Sequence, residues 1–227
     1  MRRLLFLASF AALFCPQTSP AAAKTVWRAG NGFLVVREMN LARQNPELYA
    51  VYLEELKTDF RGDILLLPGG TRLRTREGVG AVNEGIRFLR RARPLPALTF
   101  SPGISMAAAE HVADQAGGAI GHAGSDRSNP YERMNHFGTW SGSSGENISY
   151  GKTTARDVII ALIIDDGLPA RKHRRNIFNP AFRYAGAALG PHARYRTVCS
   201  IDFVARYVEH SPIALLLPSI ALPSLAP

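Results

Sequence analysis

Cysteine is nearly absent from this sequence of 227 residues, which contains only Cys15 and Cys199. Residues 1–23 have the pattern of a secretory signal peptide: two arginines, an apolar run, and small residues before a predicted cleavage after Ala23. Because cleavage removes Cys15, the mature chain cannot form an internal disulfide, and its stability must come from packing. Cys199 alternates with apolar residues, which favours a buried strand position over a reactive thiol.

The sequence also lacks the uninterrupted apolar stretch of about 20 residues that spans a bilayer. Its C-terminal segment 211–227 is apolar, but four prolines interrupt it, so it is not expected to form a membrane helix. Two alternatives remain for this tail: it packs on the domain or on a neighbour in extended form, or it stays loose at the terminus. We therefore expect no transmembrane anchor in the mature form and a secreted or periplasmic protein.

Neither an internal repeat, a nucleotide-binding glycine motif nor a nucleophile elbow occurs. The formal net charge is +9, and +7 once the two arginines of the signal peptide are subtracted. A basic surface outside the cytoplasm favours an anionic lipid or another cell-envelope component as partner, and no nucleic acid is expected. The alternative is an arginine-rich surface that is simply solvated.

Four segments are predicted along the chain: the signal peptide 1–23, N-terminal helices with an arginine-rich elaboration over 24–100, a core domain over 101–210, and the tail 211–227. Within them, Asn45–Pro46, Ser101–Pro102 and the Thr154–Asp157 pair have the spacing of helix starts. The stretch from Gly121 to Gly151 is polar and glycine-rich. Two strands follow near the C-terminus, which together with the helices indicates an α/β or α+β domain.

Three polar stretches carry the candidate site: "GHAGSDRS" with His122, "SGENISYG" with Glu146, and "DDGLPARKHRRNIFNP" with His173. In this order they resemble the CAP superfamily, also called the SCP or cysteine-rich secretory, antigen 5 and pathogenesis-related-1 domain, in its bacterial form. The resemblance is strong from Ser101 to Tyr207 and looser upstream, where Arg61 to Arg93 is interpreted as an elaboration. It implies an α+β fold, namely a single-domain α-β-α sandwich with a central antiparallel sheet.

The resemblance also implies which residues form the cleft. His122, Glu146 and His173 match the family motifs, and Asp165 is assigned as the fourth member, with Asp166 as the alternative. Ser125 and Asp126 follow His122 and are assigned to the cleft, where they would hold the loop or the imidazole. In two places the sequence departs from the family, with Lys172 and Arg127 at positions where the family has glycine.

Two neutral imidazoles can bind a divalent metal ion such as zinc, while nearby carboxylates complete the shell or fix the tautomer. We therefore predict His122 and His173 as metal ligands of modest affinity. The leading hypothesis is an exported binding module for a divalent metal and a lipid or cell-envelope ligand, which favours a non-enzyme. One alternative is a metal-dependent hydrolase with Glu146 as general base. Another is an interaction protein with a vestigial cleft that acts through the arginine-rich elaboration.

Overall fold

The computed structural model describes residues 20–67 and 70–210, with side chains from residue 31 onward. Residues 1–19 of the predicted signal peptide and the whole apolar segment 211–227 lie outside this range, so both predictions remain predictions. Within the described part of the chain, no helix is long and apolar enough to cross a bilayer.

The described ranges contain seven α-helices. They are α1 (Pro20–Gln44), α2 (Pro46–Lys57), α3 (Val79–Leu89), α4 (Pro102–Asp114), α5 (Pro130–Asn135), α6 (Ala155–Ile164) and α7 (Lys172–Ile177). The predicted starts at Pro46, Pro102 and Ala155 are confirmed. Ser101 caps α4 by accepting a hydrogen bond from the Ile104 N–H at 3.1 Å. Asn45 differs from expectation, because its side chain makes no capping bond to α2.

Strands form two separate sheets. The small one contains β1 (Phe60–Arg61), β2 (Ile64–Leu66) and β3 (Arg72–Arg74), paired antiparallel in that order. The central one contains β4 (Thr99–Phe100), β5 (Gly138–Tyr150), β6 (Tyr184–His192) and β7 (Arg196–Glu209) in the order β4-β6-β7-β5. Its long strands pair antiparallel, and the two-residue β4 adds a parallel edge.

Helices cover both faces of the central sheet, which confirms the predicted α-β-α sandwich. Strand residues alternate between faces, so Ile201 and Phe203 point to one side while Val198 and Val204 point to the other. The first side packs with α1, α2, α3 and α6 in the larger apolar core. On the other side, α4 and α5 pack in two smaller cores. Each sheet face is therefore closed by its own helical layer.

Two glycines allow these layers to approach the sheet closely. A Cβ at Gly32 in α1 would overlap the carbonyl oxygen of Ala187 in β6. On the opposite face, a Cβ at Gly186 would overlap the backbone of Ser105 and Ile104 in α4. Two adjacent residues of β6 thus contact a helix backbone, one on each face of the sheet. Each contact is possible because one of its two partners is a glycine, which has no side chain.

Residues 61–93, which the sequence analysis interprets as an arginine-rich elaboration, contain β2, β3 and α3, and ion pairs join them to the loop before α7. Glu77 accepts hydrogen bonds from both terminal nitrogens of Arg171, each at 2.6 Å, and this pairing lowers the pKa of Glu77 to about 2. Glu84 accepts from Arg171 at 3.1 Å and from Arg174 at 2.6 Å. The elaboration therefore fixes the segment that carries the second cleft histidine.

The polar, glycine-rich stretch between Gly121 and Gly151, to which the sequence analysis assigned no element, contains regular structure. This segment contains α5 and the thirteen-residue strand β5. Asn129 caps α5 and forms a reciprocal capping box with Glu132, which is a signal that the sequence offered. The sequence of β5 does not predict a strand, because its serines and glycines have weak strand preference. The strand forms through its pairing with β7.

Candidate functional site

The first half of the site joins a loop histidine to a strand carboxylate. His122 lies between the end of α4 and α5, and its Nδ1 is 2.6 Å from Oε1 of Glu146 in β5. The imidazole is 57% exposed, whereas the Glu146 side chain is 2% exposed. This hydrogen bond raises the pKa of His122, against the opposing effect of burial. The carboxylate thus holds the imidazole through Nδ1 and leaves the rest of the ring accessible to solvent.

The second oxygen of Glu146 is bound by groups that the sequence did not single out. Oε2 accepts from the Arg133 guanidinium of α5 at 2.9 Å and from the Ser200 hydroxyl of β7 at 3.0 Å. Arg133 is itself buried and also donates to the backbone carbonyl of His122 at 3.2 Å. Since both oxygens of Glu146 have partners, its negative charge is compensated inside the protein.

The second half of the site repeats this arrangement on another loop. Nδ1 of His173 lies 2.6 Å from Oδ1 of Asp165, and the His173 N–H donates to Oδ2 at 3.0 Å. Asp165 ends α6 in a left-handed conformation with φ 56°, which turns its side chain back toward α7. Asp166 instead accepts from the backbone N–H groups of Arg76 and Glu77. Of the two candidates for the fourth position, the structure brings Asp165 to the histidine.

Both imidazoles face one cavity of about 320 Å³. It is lined by His122, Glu146, Lys172, His173, Arg175 and Asn176. Each ring uses Nδ1 for its carboxylate, and no residue of the described ranges hydrogen-bonds to Nε2 of either ring. Two imidazoles that are far apart in sequence therefore line the same cavity, and the Nε2 atom of each ring has no protein partner in the described ranges.

Hydrogen bonds from Asn147 and Asn176 fix the backbone at the second histidine. The Asn147 amide donates to the His173 carbonyl at 3.0 Å, and the Asn176 amide donates to Oδ1 of Asn147 at 2.8 Å. Asn147 is fully buried next to Glu146 in β5, so it connects the strand of the first carboxylate to the helix of the second histidine. This link fixes the spacing between the two halves of the site.

Ser125 and Asp126 do not reach this cavity. The Ser125 N–H donates to Asp114 at 2.7 Å, and Oδ1 of Asp126 accepts from the Ser128 N–H at 2.8 Å. Both line a neighbouring cavity with His111 and Arg133 instead. Their assignment to the cleft is corrected: their short polar side chains are used within the loop that holds His122.

A comparison with protein families identifies the chain. The model of the cysteine-rich secretory protein family, CAP, matches residues 79–203, which is more than half of the sequence. The chain belongs to the CAP family. No curated protein and no solved structure matched the chain. The CAP match includes both halves of the site and begins at the first residue of α3, upstream of Ser101, where the resemblance in sequence became loose.

The two departures from the CAP motifs have different structural outcomes. Arg127 keeps the left-handed backbone that glycine favours, with φ 70°, so the turn after His122 is preserved despite the substitution. Lys172 opens α7 and lines the cavity beside His173. The first departure leaves the loop geometry intact, whereas the second changes the charge in the cleft.

Asp202 is a buried acid of this CAP domain that sequence reasoning missed. It lies directly opposite Glu146 in the β5–β7 pairing, is fully buried, and neither of its carboxylate oxygens has a partner among the described residues. Burial and the nearby Glu146 raise the pKa of Asp202 well above its usual range, and Arg133 only partly opposes them. A signal was present in the sequence: Ser200 and Asp202 are the two polar residues between Val198 and Val204, and both lie on the same face of the strand.

Proposed function

We propose that the cleft of this CAP domain binds a divalent metal ion through His122 and His173. The observation that carries the proposal is that both imidazoles line one cavity and that neither Nε2 atom has a protein partner in the described ranges. Because each Nδ1 is hydrogen-bonded to a carboxylate, a neutral ring keeps its proton on Nδ1. The lone pair on Nε2 is then available to bind a metal ion. The residues present therefore fit a metal held by two histidines.

The same residues limit the affinity. In the described part of the chain no three His, Cys, Asp or Glu side chains converge on one point, so the site lacks the ligand set of a closed zinc centre. Glu146 and Asp165 act through the histidines, because their oxygens bind the rings. A bound metal would keep open positions and supply a positive charge for an incoming ligand.

Calorimetric titration with zinc tests the proposal. We expect binding to weaken at least tenfold in His122→Ala and in His173→Ala, because each removes one of two ligands. His136→Ala is the matched control, since His136 is an exposed histidine outside the cleft. If either cleft variant binds zinc with the affinity of the wild type, the metal proposal is wrong.

The hydrolase hypothesis has less support in this geometry. A general base needs an accessible oxygen within hydrogen-bonding distance of its proton donor. Glu146 is almost fully buried and its oxygens are bound by His122, Arg133 and Ser200. This arrangement favours positioning of His122 over proton abstraction. Product release from ester, peptide or peptidoglycan substrates that is lost in Glu146→Gln would reverse this conclusion.

A lipid is the second ligand that we propose, and a separate apolar cavity favours it. A space of about 700 Å³ lies between α1, the start of α6 and the β6–β7 turn. Leu34, Val35, Leu189 and Pro191 line it, and Arg196 adds a positive charge. An acyl chain could be buried there with an anionic head group near the arginine. This proposal agrees with an exported protein that acts at the cell envelope, as the N-terminal sequence pattern predicts.

Binding of a fluorescent fatty acid tests this second proposal. Leu34→Glu is expected to abolish the fluorescence gain, because an acyl chain in the cavity would cover the new carboxylate and remove its charge from water. Leu48→Glu is the control, since Leu48 is similarly exposed and does not line the cavity. Equal fluorescence in both variants would contradict the proposal.

The third hypothesis, a vestigial cleft, requires that a double His122→Ala, His173→Ala protein keep every activity of the wild type.

A further inference from the structure

Two exposed cationic side chains line the cleft without a partner. Lys172 and Arg175 are three residues apart in α7, a spacing that places side chains on the same side of a helix. Both line the cavity that contains His122 and His173. Neither side chain makes an ion pair or a hydrogen bond within the described ranges. Their charges are therefore directed at the cavity rather than at another part of the protein.

Arg174, which lies between them, shows what a structural arginine looks like here. It is 3% exposed, it donates to both oxygens of Glu84 at 2.8 and 2.6 Å, and its guanidinium stacks on the Phe88 ring. The charge of Arg174 is therefore paired with Glu84 and does not act in the cleft. The same helix thus contains one arginine that anchors it and two cations that it presents to solvent.

The carboxylates of the cleft do not neutralise these two cations. Glu146 is paired with Arg133, so that pair has no net charge. The Asp165 side chain is 3% exposed and is bound behind the His173 ring. With neutral histidines, Asp165 offsets one of the two positive charges, and the uncompensated charge faces the cavity mouth. Such a cavity attracts anions.

We propose that Lys172 and Arg175 make this cleft a binding site for a phosphate-type oxyanion. The inference deepens the proposed metal-binding function and rests on it for the identity of the cleft, because it names the class of ligand that enters beside the metal. An arginine fork can donate two parallel hydrogen bonds to phosphate oxygens, and lysine adds a point charge. A metal on the histidines would add a third positive group for the same oxyanion, so metal and anion are expected to increase each other's affinity.

Titration with glycerol 3-phosphate tests the inference, first in EDTA and then with zinc. We expect binding in EDTA that weakens about fivefold to tenfold in Lys172→Ala and in Arg175→Ala, because each removes one charge-assisted contact. Arg175→Lys should recover part of the loss. Arg87→Ala is the control, since Arg87 is an exposed arginine of α3 that lies outside the cavity. All substituted residues are exposed, so the variants are expected to fold, and thermal unfolding verifies this.

Vesicles of phosphatidylcholine with and without phosphatidic acid distinguish a lipid head group from a free phosphomonoester. Binding to phosphatidic acid that falls in both cleft variants supports a head group, and binding of glycerol 3-phosphate alone supports a soluble ligand. If neither probe binds, or if the cleft variants bind both probes as well as Arg87→Ala does, the inference is overturned. Zinc affinity is measured in a separate titration. Zinc binding without phosphate binding supports the metal proposal and contradicts the oxyanion proposal. Phosphate binding in EDTA without zinc binding supports the oxyanion proposal and contradicts the metal proposal.

Discussion

Substitution of the buried Asp202 by asparagine should remove a pH dependence of folding. Asp202 faces Glu146 from β5 and Arg133 from α5, and it also contributes to the raised pKa of Tyr207. Arg133 already pairs with Glu146 at 2.9 Å, so no second cation is free to balance a charged Asp202. We therefore expect Asp202 to keep its proton in the folded protein at pH values where the unfolded chain has lost it.

The direction and size of the effect follow from proton linkage. The folded state binds one proton more than the unfolded state between the unfolded pKa of about 4 and the raised folded pKa. The free energy of unfolding contributed by this group is unaffected below that window and falls as pH rises through it, by about 1.4 kcal/mol per pH unit for one proton. In Asp202→Asn this contribution disappears, because the amide does not titrate.

Urea unfolding at several pH values from 4 to 8 is the suitable assay. The stability of Asp202→Asn relative to the wild type should increase by about 1.4 kcal/mol for each pH unit until the folded pKa is passed. Asp59→Asn is the control for the change from carboxylate to amide, since Asp59 is an exposed aspartate far from the buried pair in sequence. If the curve of Asp202→Asn is parallel to that of the wild type, Asp202 is ionised in the folded protein and the reasoning is refuted.

Two further predictions concern packing at other positions. Gly186→Ala should lower the free energy of unfolding by about 1–3 kcal/mol, because its Cβ would overlap the backbone of α4, whereas Gly80→Ala, which meets open space in α3, should not destabilise. Equal stability of the two variants in urea would contradict the close contact. Arg43→Ala should lower the free energy of unfolding by about 3 kcal/mol. The fully buried Arg43 donates hydrogen bonds to the carbonyls of Pro96 and Asn179, each at 3.1 Å, and to that of Ile177, and the variant would lose all of them. An unchanged stability in thermal unfolding would refute this prediction.

The sequence was sufficient to predict the parts of the fold that depend on local signals. Proline and cap residues at Pro46, Ser101 and Thr154 marked helix starts that the structure confirms. The order of the three polar stretches identified the family and its α-β-α sandwich. By contrast, β5 depends on non-local pairing with β7, and its serines and glycines give no strong strand preference of their own.

The candidate site was predictable in its residue types but not in its contacts. His122, Glu146 and His173 come from motifs, and the structure places them around one cavity. The choice between Asp165 and Asp166 depended on the left-handed turn that ends α6, which spacing alone does not specify. Arg133 was missed because it lies in a helix that was itself missed.

The contact between α1 and β6 means that the family match does not mark a folding unit. The matched range begins at residue 79, yet Gly32 touches Ala187, and Arg43 reaches Asn179 close to the start of β6. A chain trimmed to residue 79 would keep α3 and α6 on this side of the central sheet but would lose α1 and α2, which would expose the part of the core that these two helices cover. Expression of such a fragment should yield aggregates, and adding the first two helices back as a separate peptide offers a route to a split protein whose assembly can be switched on at will.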